Sequence, residues 1–269
     1  MDKELVVSSD EDYVHIALLE DGRLMELHRE EVDLNFAVGD MYLGKVKKLA
    51  PSLNAAFVDI GYSKDAFLHY HDLGPNVRSL LTYTQLVSNG KFKSSNLKSF
   101  RKEPQIKKDG TIGEVLTPGD NILIQITKEP IQTKGPRITS EISIAGRFLI
   151  LTPFSNKVSI SQKIKSRPER DRLLALVESI KPEGFGIIIR TVAEGKKVAE
   201  LHADLNYLTN KWHTVFKNIQ KRKAPAKLLS EMDRASAILR DNFNEEYVKI
   251  TVDDEELADD MREYLNVIA

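Results

Sequence analysis

Gly44-Lys45-Val46-Lys47-Lys48-Leu49-Ala50-Pro51-Ser52-Leu53-Asn54-Ala55-Ala56-Phe57-Val58-Asp59-Ile60-Gly61, followed by Asp65-Ala66-Phe67-Leu68-His69, decides the fold of this chain. Two short alternating stretches separated by Pro-Ser-Leu-Asn read as strands joined by a turn, with a third strand carrying Phe67. The pattern sets Lys45, Lys47 and Lys48 near Phe57 and Phe67. A single-stranded nucleic acid needs cations for its phosphates and flat rings for its unstacked bases, and this combination offers both.

Outward from that stretch, Val38-Gly39-Asp40 opens the same strand-rich unit and Pro118-Gly119-Asp120 leads back into it through the alternating strand Asn121 to Thr127. Five strands in this arrangement point to a barrel of the OB type, whose strand face and loops bind oligonucleotides. Taken alone, an aromatic residue on a strand is more often core, and the pairing of Phe57 with Phe67 among lysines is what favours binding. Lys128-Glu129-Pro130-Ile131-Gln132-Thr133-Lys134-Gly135-Pro136-Arg137 is either a solvated hairpin or, with lysine and glycine at its tip, a phosphate clamp. Between the barrel strands, His71 to Gly119 loosens into a stretch rich in Ser, Lys and Asn that reads as a mobile basic insertion.

Upstream, Glu4 to Val7, Tyr13 to Glu20 and Arg23 to His28 form a small meander with a Glu20-Asp21-Gly22-Arg23 hairpin turn, connected onward by Glu30-Glu31-Val32-Asp33. Downstream, strands are expected at Thr139 to Ile144, Arg147 to Leu151 and Gly186 to Thr191. Helices are expected at Pro168 to Ile180 and at Leu201 to Lys223, whose apolar stripe includes Leu205, Leu208, Trp212, Val215, Phe216 and Ile219. A helix from Ala235 to Asn242, a strand from Tyr247 to Val252 and a helix from Asp254 to Val267 close the chain.

With 39 basic and 40 acidic side chains in 269 residues, bulk charge does not predict a polyanion partner, so a nucleic-acid site must be local. The basic residues from Arg78 to Arg137 supply that locality. No apolar run reaches the roughly 20 residues of a membrane span, and Met1-Asp2-Lys3-Glu4 lacks a signal-peptide pattern; a cytoplasmic location follows by default. The chain has no cysteine, which removes disulfides, thiolate catalysis and Cys-based zinc sites. The six histidines show no metal-ligand spacing, Asp253 to Glu256 most simply cap the last helix, and no P-loop, Rossmann glycine pattern or nucleophile elbow occurs. Arg190-Thr191 ends the apolar strand Ile187-Ile188-Ile189; an arginine fork beside a hydroxyl suits a terminal phosphate monoester, though such an arginine alone more often pairs with a surface acid.

These motifs, with Lys134-Gly135-Pro136-Arg137-Ile138-Thr139, Ala145-Gly146-Arg147-Phe148-Leu149-Ile150-Leu151 and Pro182-Glu183-Gly184-Phe185-Gly186-Ile187-Ile188-Ile189-Arg190-Thr191, occur in an order that resembles the bacterial ribonuclease E/G family. The resemblance covers nearly the whole chain. It implies an α+β protein in which an S1-like OB barrel (residues 38–138, with the basic insertion at about 76–117) is inserted into a discontinuous RNase H-like subdomain (residues 1–37 and an incomplete 235–269), with a 5′-sensor region at 139–234. It further implies that Phe57, Phe67, Lys134 and Lys128, with Lys45 beside them, contact RNA. Arg190 and Thr191 would hold a 5′-monophosphate in a pocket lined at Gly146 and Ile150. Family members continue into a DNase I-like subdomain whose two aspartates hold the catalytic magnesium, and a zinc-linked Cys pair that joins protomers, so the resemblance implies that this chain is a piece that binds single-stranded RNA without cutting it. A homo-oligomer would then belong to the full-length protein. The rival readings are a stand-alone S1-domain RNA-binding regulator without nuclease activity and a scaffold protein whose barrel binds another protein.

Overall fold

The structure, a computed structural model, describes residues 2–10, 12–31, 36–231, 234–244 and 246–268. The expected connection at Val32-Asp33 lies outside the described residues. The strands are β1 (Lys3–Ser9), β2 (Tyr13–Glu20), β3 (Arg23–Glu31), β4 (Met41–Ala50), β5 (Ala55–Asp59), β6 (Ala66–His69), β7 (Asn121–Lys128), β8 (Arg137–Thr139), β9 (Ile144–Ala145), β10 (Leu149–Pro153), β11 (Val158–Ile160), β12 (Phe185–Ile189), β13 (Ala226–Leu229) and β14 (Tyr247–Val252). The helices are α1 (Val77–Ser88), α2 (Arg167–Ile180), α3 (Val198–Lys221), α4 (Arg234–Asn242) and α5 (Glu255–Ile268). Contacts divide the chain into two units, one built from residues 1–35 and 232–269 and the other from 36–231.

The first unit is a four-stranded sheet in the order β14-β1-β2-β3, in which β14 runs parallel to β1 and the other pairs are antiparallel. The hairpin read from Asp21-Gly22 forms with positive φ at both residues, the conformation a two-residue turn between twisted strands requires. Leu5, Val7 and Ile16 fill its core together with Leu239, Met261 and Tyr264 of the two helices.

The second unit contains a closed five-stranded barrel. Its strands neighbour one another in the order β4-β5-β6-β8-β7, and β7 closes onto β4. All pairs are antiparallel except β6 with β8, which is the OB connectivity. Closure depends on β4 serving two partners: Met41 to Lys45 pair with β7, and Lys45 to Ala50 pair with β5. A bulge between Val46 and Lys48 bends the strand between these roles. Gly44 sits at the bend, where a Cβ would lie 2.5 Å from Val58 Cγ1. The interior is filled by alternating inward residues, among them Tyr42, Val46, Val58, Leu68, Ile122, Ile124 and Ile138.

Beside the barrel, a sheet in the order β11-β12-β10-β9 packs one face on α2 and α3. The second core is centred on Trp212, whose ring lies 5.7 Å from Tyr83, 6.0 Å from Phe154 and 6.1 Å from Phe185, and whose Nε1 donates to Ser95 O at 3.0 Å.

Three sequence expectations are corrected here. The basic stretch is not patternless: Val77–Ser88 is a helix, and Tyr83, Leu97 and Phe100 from this segment are buried in the core around Trp212. Burial of about 150–250 Å² per aromatic residue outweighs the poor intrinsic helix propensity of a Ser- and Thr-rich segment. The strand expected from Thr139 to Ile144 is two pieces, because β8 ends at Thr139 and Ser140 turns to donate to Leu73 O, before β9 begins at Ile144. The short strands β11 and β13 add to the expected set; both acquire their hydrogen bonds from distant partners, β12 and β4.

Candidate nucleic-acid interface

Phe57 on β5 and Phe67 on β6 are directly paired across the two strands, so both rings leave the same outer face of the barrel. Their centroids are 5.9 Å apart in an edge-to-face arrangement, and both are half-buried rather than part of the barrel interior. The pleat makes this unavoidable: Ala56, Val58, Ala66 and Leu68, the alternate residues, point inward. The aromatic row continues along β6 to His69, 6.4 Å from Phe67, and His71, stacked 5.1 Å from His69. His69 Nδ1 accepts the backbone N–H of His71, which holds the first imidazole in place.

Cations border the row. The Lys48 ammonium lies 4.9 Å from the Phe57 ring centre, on the register position opposite Phe57. Lys47 is committed elsewhere, bonded to Asp65 at 2.8 Å and near Asp59 at 3.7 Å, and its pKa is raised, first by the Asp65 bond. Among the described residues Lys45, Lys128 and Lys134 are exposed and make no ion pair. Lys134 stands at the tip of the hairpin that follows β7, and Lys128 faces Arg137 at its base. Gly135 brings this hairpin against the start of β6: a Cβ there would run into the Asp65 carbonyl oxygen. Arg137, in register with Phe67, forks onto Asp72 with bonds of 2.9 and 3.2 Å. Rings and lysines on one curved sheet give stacking surfaces with phosphate-binding charge around them.

The residues nominated for phosphate recognition lie at the end of β12. Arg190 Nη1 donates to Gly146 O at 2.7 Å and to Arg147 O at 3.2 Å, so the guanidinium is held against the turn between β9 and β10. Thr191 Oγ1 shares a hydrogen bond with Ser161 Oγ at 2.8 Å. Ser161 is itself fixed by Arg170, which donates to its carbonyl. Ile150 is paired with Ile188 across β10 and β12, on the sheet face opposite the helices. The structure therefore brings Arg190, Gly146 and Ile150 to one corner, with Thr191 at its edge.

What organises that corner is Asp204 of α3, which sequence reasoning missed. Its carboxylate is buried and accepts three consecutive backbone N–H groups, from Arg147 at 2.9 Å, Phe148 at 2.8 Å and Leu149 at 2.9 Å. Burial raises its pKa, against the lowering pull of those donors and of Arg190. Gly146 is required by this contact, since a Cβ would stand 2.6 Å from Asp204 Oδ1. A signal was present: Leu201, Asp204, Leu205 and Leu208 share one helical stripe, and a carboxylate on an apolar stripe needs a reason. Basic side chains gather nearby, with Arg147 and Lys196 both over the Phe148 ring.

Among the described residues no group of three or more His, Asp or Glu side chains is placed to hold a metal ion. None of their helices is long and apolar enough to cross a membrane.

Fold and surface together define an OB-barrel protein with an aromatic and basic outer face, joined to a small sheet in which an inner strand ends on a buttressed arginine. The description "Ribonuclease E/G family" attaches to a family model that matches residues 143–269. Ribonuclease G of Haemophilus influenzae is 34% identical over 261 residues, covering 97% of this chain and 49% of that protein. Ribonuclease G of Escherichia coli strain K12 is 34% identical over 253 residues, 94% of this chain and 48% of the relative. Ribonuclease E of a Nostoc species is 35% identical over 229 residues, 85% of this chain and 29% of the relative. The chain belongs to the ribonuclease E/G family. It spans about half the length of the ribonuclease G relatives it matches.

Proposed function

We propose that this chain is the RNA-binding and end-sensing portion of a ribonuclease that cleaves single-stranded RNA in RNA processing and decay. The barrel captures the strand: bases stack on Phe57 and Phe67 while Lys45, Lys128 and Lys134 meet phosphates. Arg190 and Thr191, with the Gly146 and Ile150 positions beside them, receive a 5′-monophosphate. Two weak contacts on one strand strengthen each other through effective concentration, which lets an RNA end govern an internal event.

The observation that carries this reading is the placement of Phe57 and Phe67 side by side on the outer face of a closed OB barrel, with Lys48 on one ring. Family membership and the printed names of the relatives support RNA as the ligand. Cleavage is assigned to the part of the relatives this chain does not span, where the family's magnesium-binding aspartates and its zinc-linked Cys pair would lie. The chain then binds RNA without cutting it, in the cytoplasm, and any homo-oligomer is a property of the longer protein.

Fluorescence anisotropy with labelled single-stranded RNA over a salt series tests the reading. Binding that weakens as salt rises is the expected result, because phosphate contacts release counterions. Salt-insensitive binding or none would defeat it. Incubation with RNA and magnesium tests the division of labour, and cleavage products would overturn the assignment of chemistry to another segment.

A further inference from the structure

The sheet face that carries Ile150 does not end at the corner beside Arg190. Along β12, Ile188 and Gly186 alternate onto this face, paired with Ile150 and Thr152 of β10, and Arg190 follows the last residue of the strand in extended backbone. From Arg190 to Gly186 the extended backbone rises about 13 Å. There the face opens into a cleft of about 570 Å³, walled by the segment after β10, by the stretch around Lys102 that follows α1, and by residues that follow β6 and β8. That volume falls in the range of small-ligand sites.

The cleft is chemically divided. Its floor includes Ile188, 38% exposed although it lies in the middle of a strand. Two lysines line it, Lys102 and Lys157, and the Lys102 ammonium donates to Asn156 Oδ1 at 3.1 Å. Burial and the neighbouring Lys181 charge both lower the Lys102 pKa, so an anion at this point relieves an unfavourable charge. Thr152, Ser155 and Ser159 add hydroxyls along the same wall, with Gly186 packed so close that a Cβ would lie 2.6 Å from Thr152 Oγ1. The lining carboxylates are Glu141, which lies against Gly74, and Glu103, next in sequence to Lys102; carboxylates offer only acceptors, so the lysines and hydroxyls are the groups that can meet a phosphate.

We propose that this cleft takes up the 5′-proximal nucleotides of the RNA strand whose end docks at Arg190, with Lys102 and Lys157 on their phosphates and the apolar floor at Ile188 beneath a base. The inference rests on the end-sensing reading above and extends it: recognition covers the end together with the nucleotides that follow it. It also gives the basic stretch after α1 a task, since Lys102 comes from that stretch and is fixed by the folded contacts of its neighbours.

The test uses three short single-stranded RNA probes with a 3′ or internal label: 5′-monophosphorylated, 5′-hydroxyl and circular. The wild-type chain is compared with K102A/K157A by anisotropy. The expected result is a wild-type preference for the monophosphate, about tenfold weaker binding of that probe by the variant, and unchanged binding of the circle, which has no end to dock. The slope of log affinity against log salt for the monophosphate probe drops by about 1.4, the share of two phosphate contacts on a single strand. In parallel, 4-thiouridine at the second or third nucleotide of the monophosphorylated probe is cross-linked to wild-type protein, with adducts expected within residues 102–105 or 152–159. A retained preference with equal affinity and salt slope in the variant, or adducts confined to other segments, overturns the cleft while leaving end recognition intact. Equal wild-type affinity for monophosphate and hydroxyl ends overturns end sensing itself, and the cleft falls with it.

Discussion

The outer face of the barrel and the corner beneath Arg190 represent opposite ways of presenting a binding group. On the barrel, Phe57, Phe67 and Lys45 project from a sheet whose stability comes from its inward residues, and Lys134 from a hairpin beside it, so the presenting side chains are nearly independent of the fold. At the corner, Arg190, Gly146 and Asp204 hold one another through buried hydrogen bonds, and the presenting group is part of the packing. Substitutions on the first surface should change affinity alone, whereas substitutions at the second should change affinity and stability together.

The largest expected effect sharpens this contrast. Asp204→Ala leaves three backbone N–H groups without their acceptor in a buried turn and should cost about 3–5 kcal/mol of stability by urea denaturation. A cost under 1 kcal/mol would mean that the turn is satisfied otherwise and the corner is not a coupled unit. Phe57→Ala and Phe67→Ala come next, each weakening single-stranded RNA binding by about 1–3 kcal/mol with little change in unfolding free energy. A loss of stability without loss of affinity would place the rings in the core in energetic terms and erase the contrast.

Arg190→Ala removes two bonds to backbone carbonyls, worth about 1–3 kcal/mol of stability together, and should abolish discrimination between 5′-monophosphate and 5′-hydroxyl RNA. Persistence of that discrimination in a folded variant would move the sensor elsewhere.

The smallest effect is one of pH. Glu169 has its pKa lowered to about 2, first by its bonds to Arg172 and then by the Gly195 N–H. Its folded value lies below the unfolded 4.5, so the stabilisation is present above about pH 4.5 and is lost as pH falls toward 2. Glu169→Gln should therefore flatten the acid limb of a stability-pH curve in that window and leave neutral-pH RNA affinity unchanged. An acid limb as steep as wild type would show that the pair contributes nothing in solution.

The barrel was legible because its signals are local: alternation across Gly44 to Asp59, a turn ended by Asn54 in the left-handed region, and the hairpin glycine at 135. Helix α1 was not, because Ser79, Thr82, Thr84 and Ser88 dilute its apolar stripe, and what stabilises it is Tyr83 reaching an aromatic cluster assembled from Phe154 and Trp212, far away in sequence. Strand β13 depends in the same way on β4, and on the Lys227–Asp40 ion pair at 2.7 Å. For the candidate site the division repeats itself. Phe57 and Phe67 were readable as a pair on one face, and Arg190 as an arginine closing a strand. Asp204 was hidden because its three partners lie more than fifty residues upstream.

The central claim is that one strand of RNA is held by exposed barrel rings at one place and by its phosphorylated end at another. The most direct measurement is the affinity of wild type, F57A/F67A and R190A for the same oligoribonucleotide carrying a 5′-monophosphate or a 5′-hydroxyl. The account predicts that F57A/F67A weakens both RNAs while keeping the preference for the monophosphate, and that R190A removes the preference while binding the hydroxyl RNA as wild type does. Unchanged affinity of a folded F57A/F67A variant for both RNAs would contradict it.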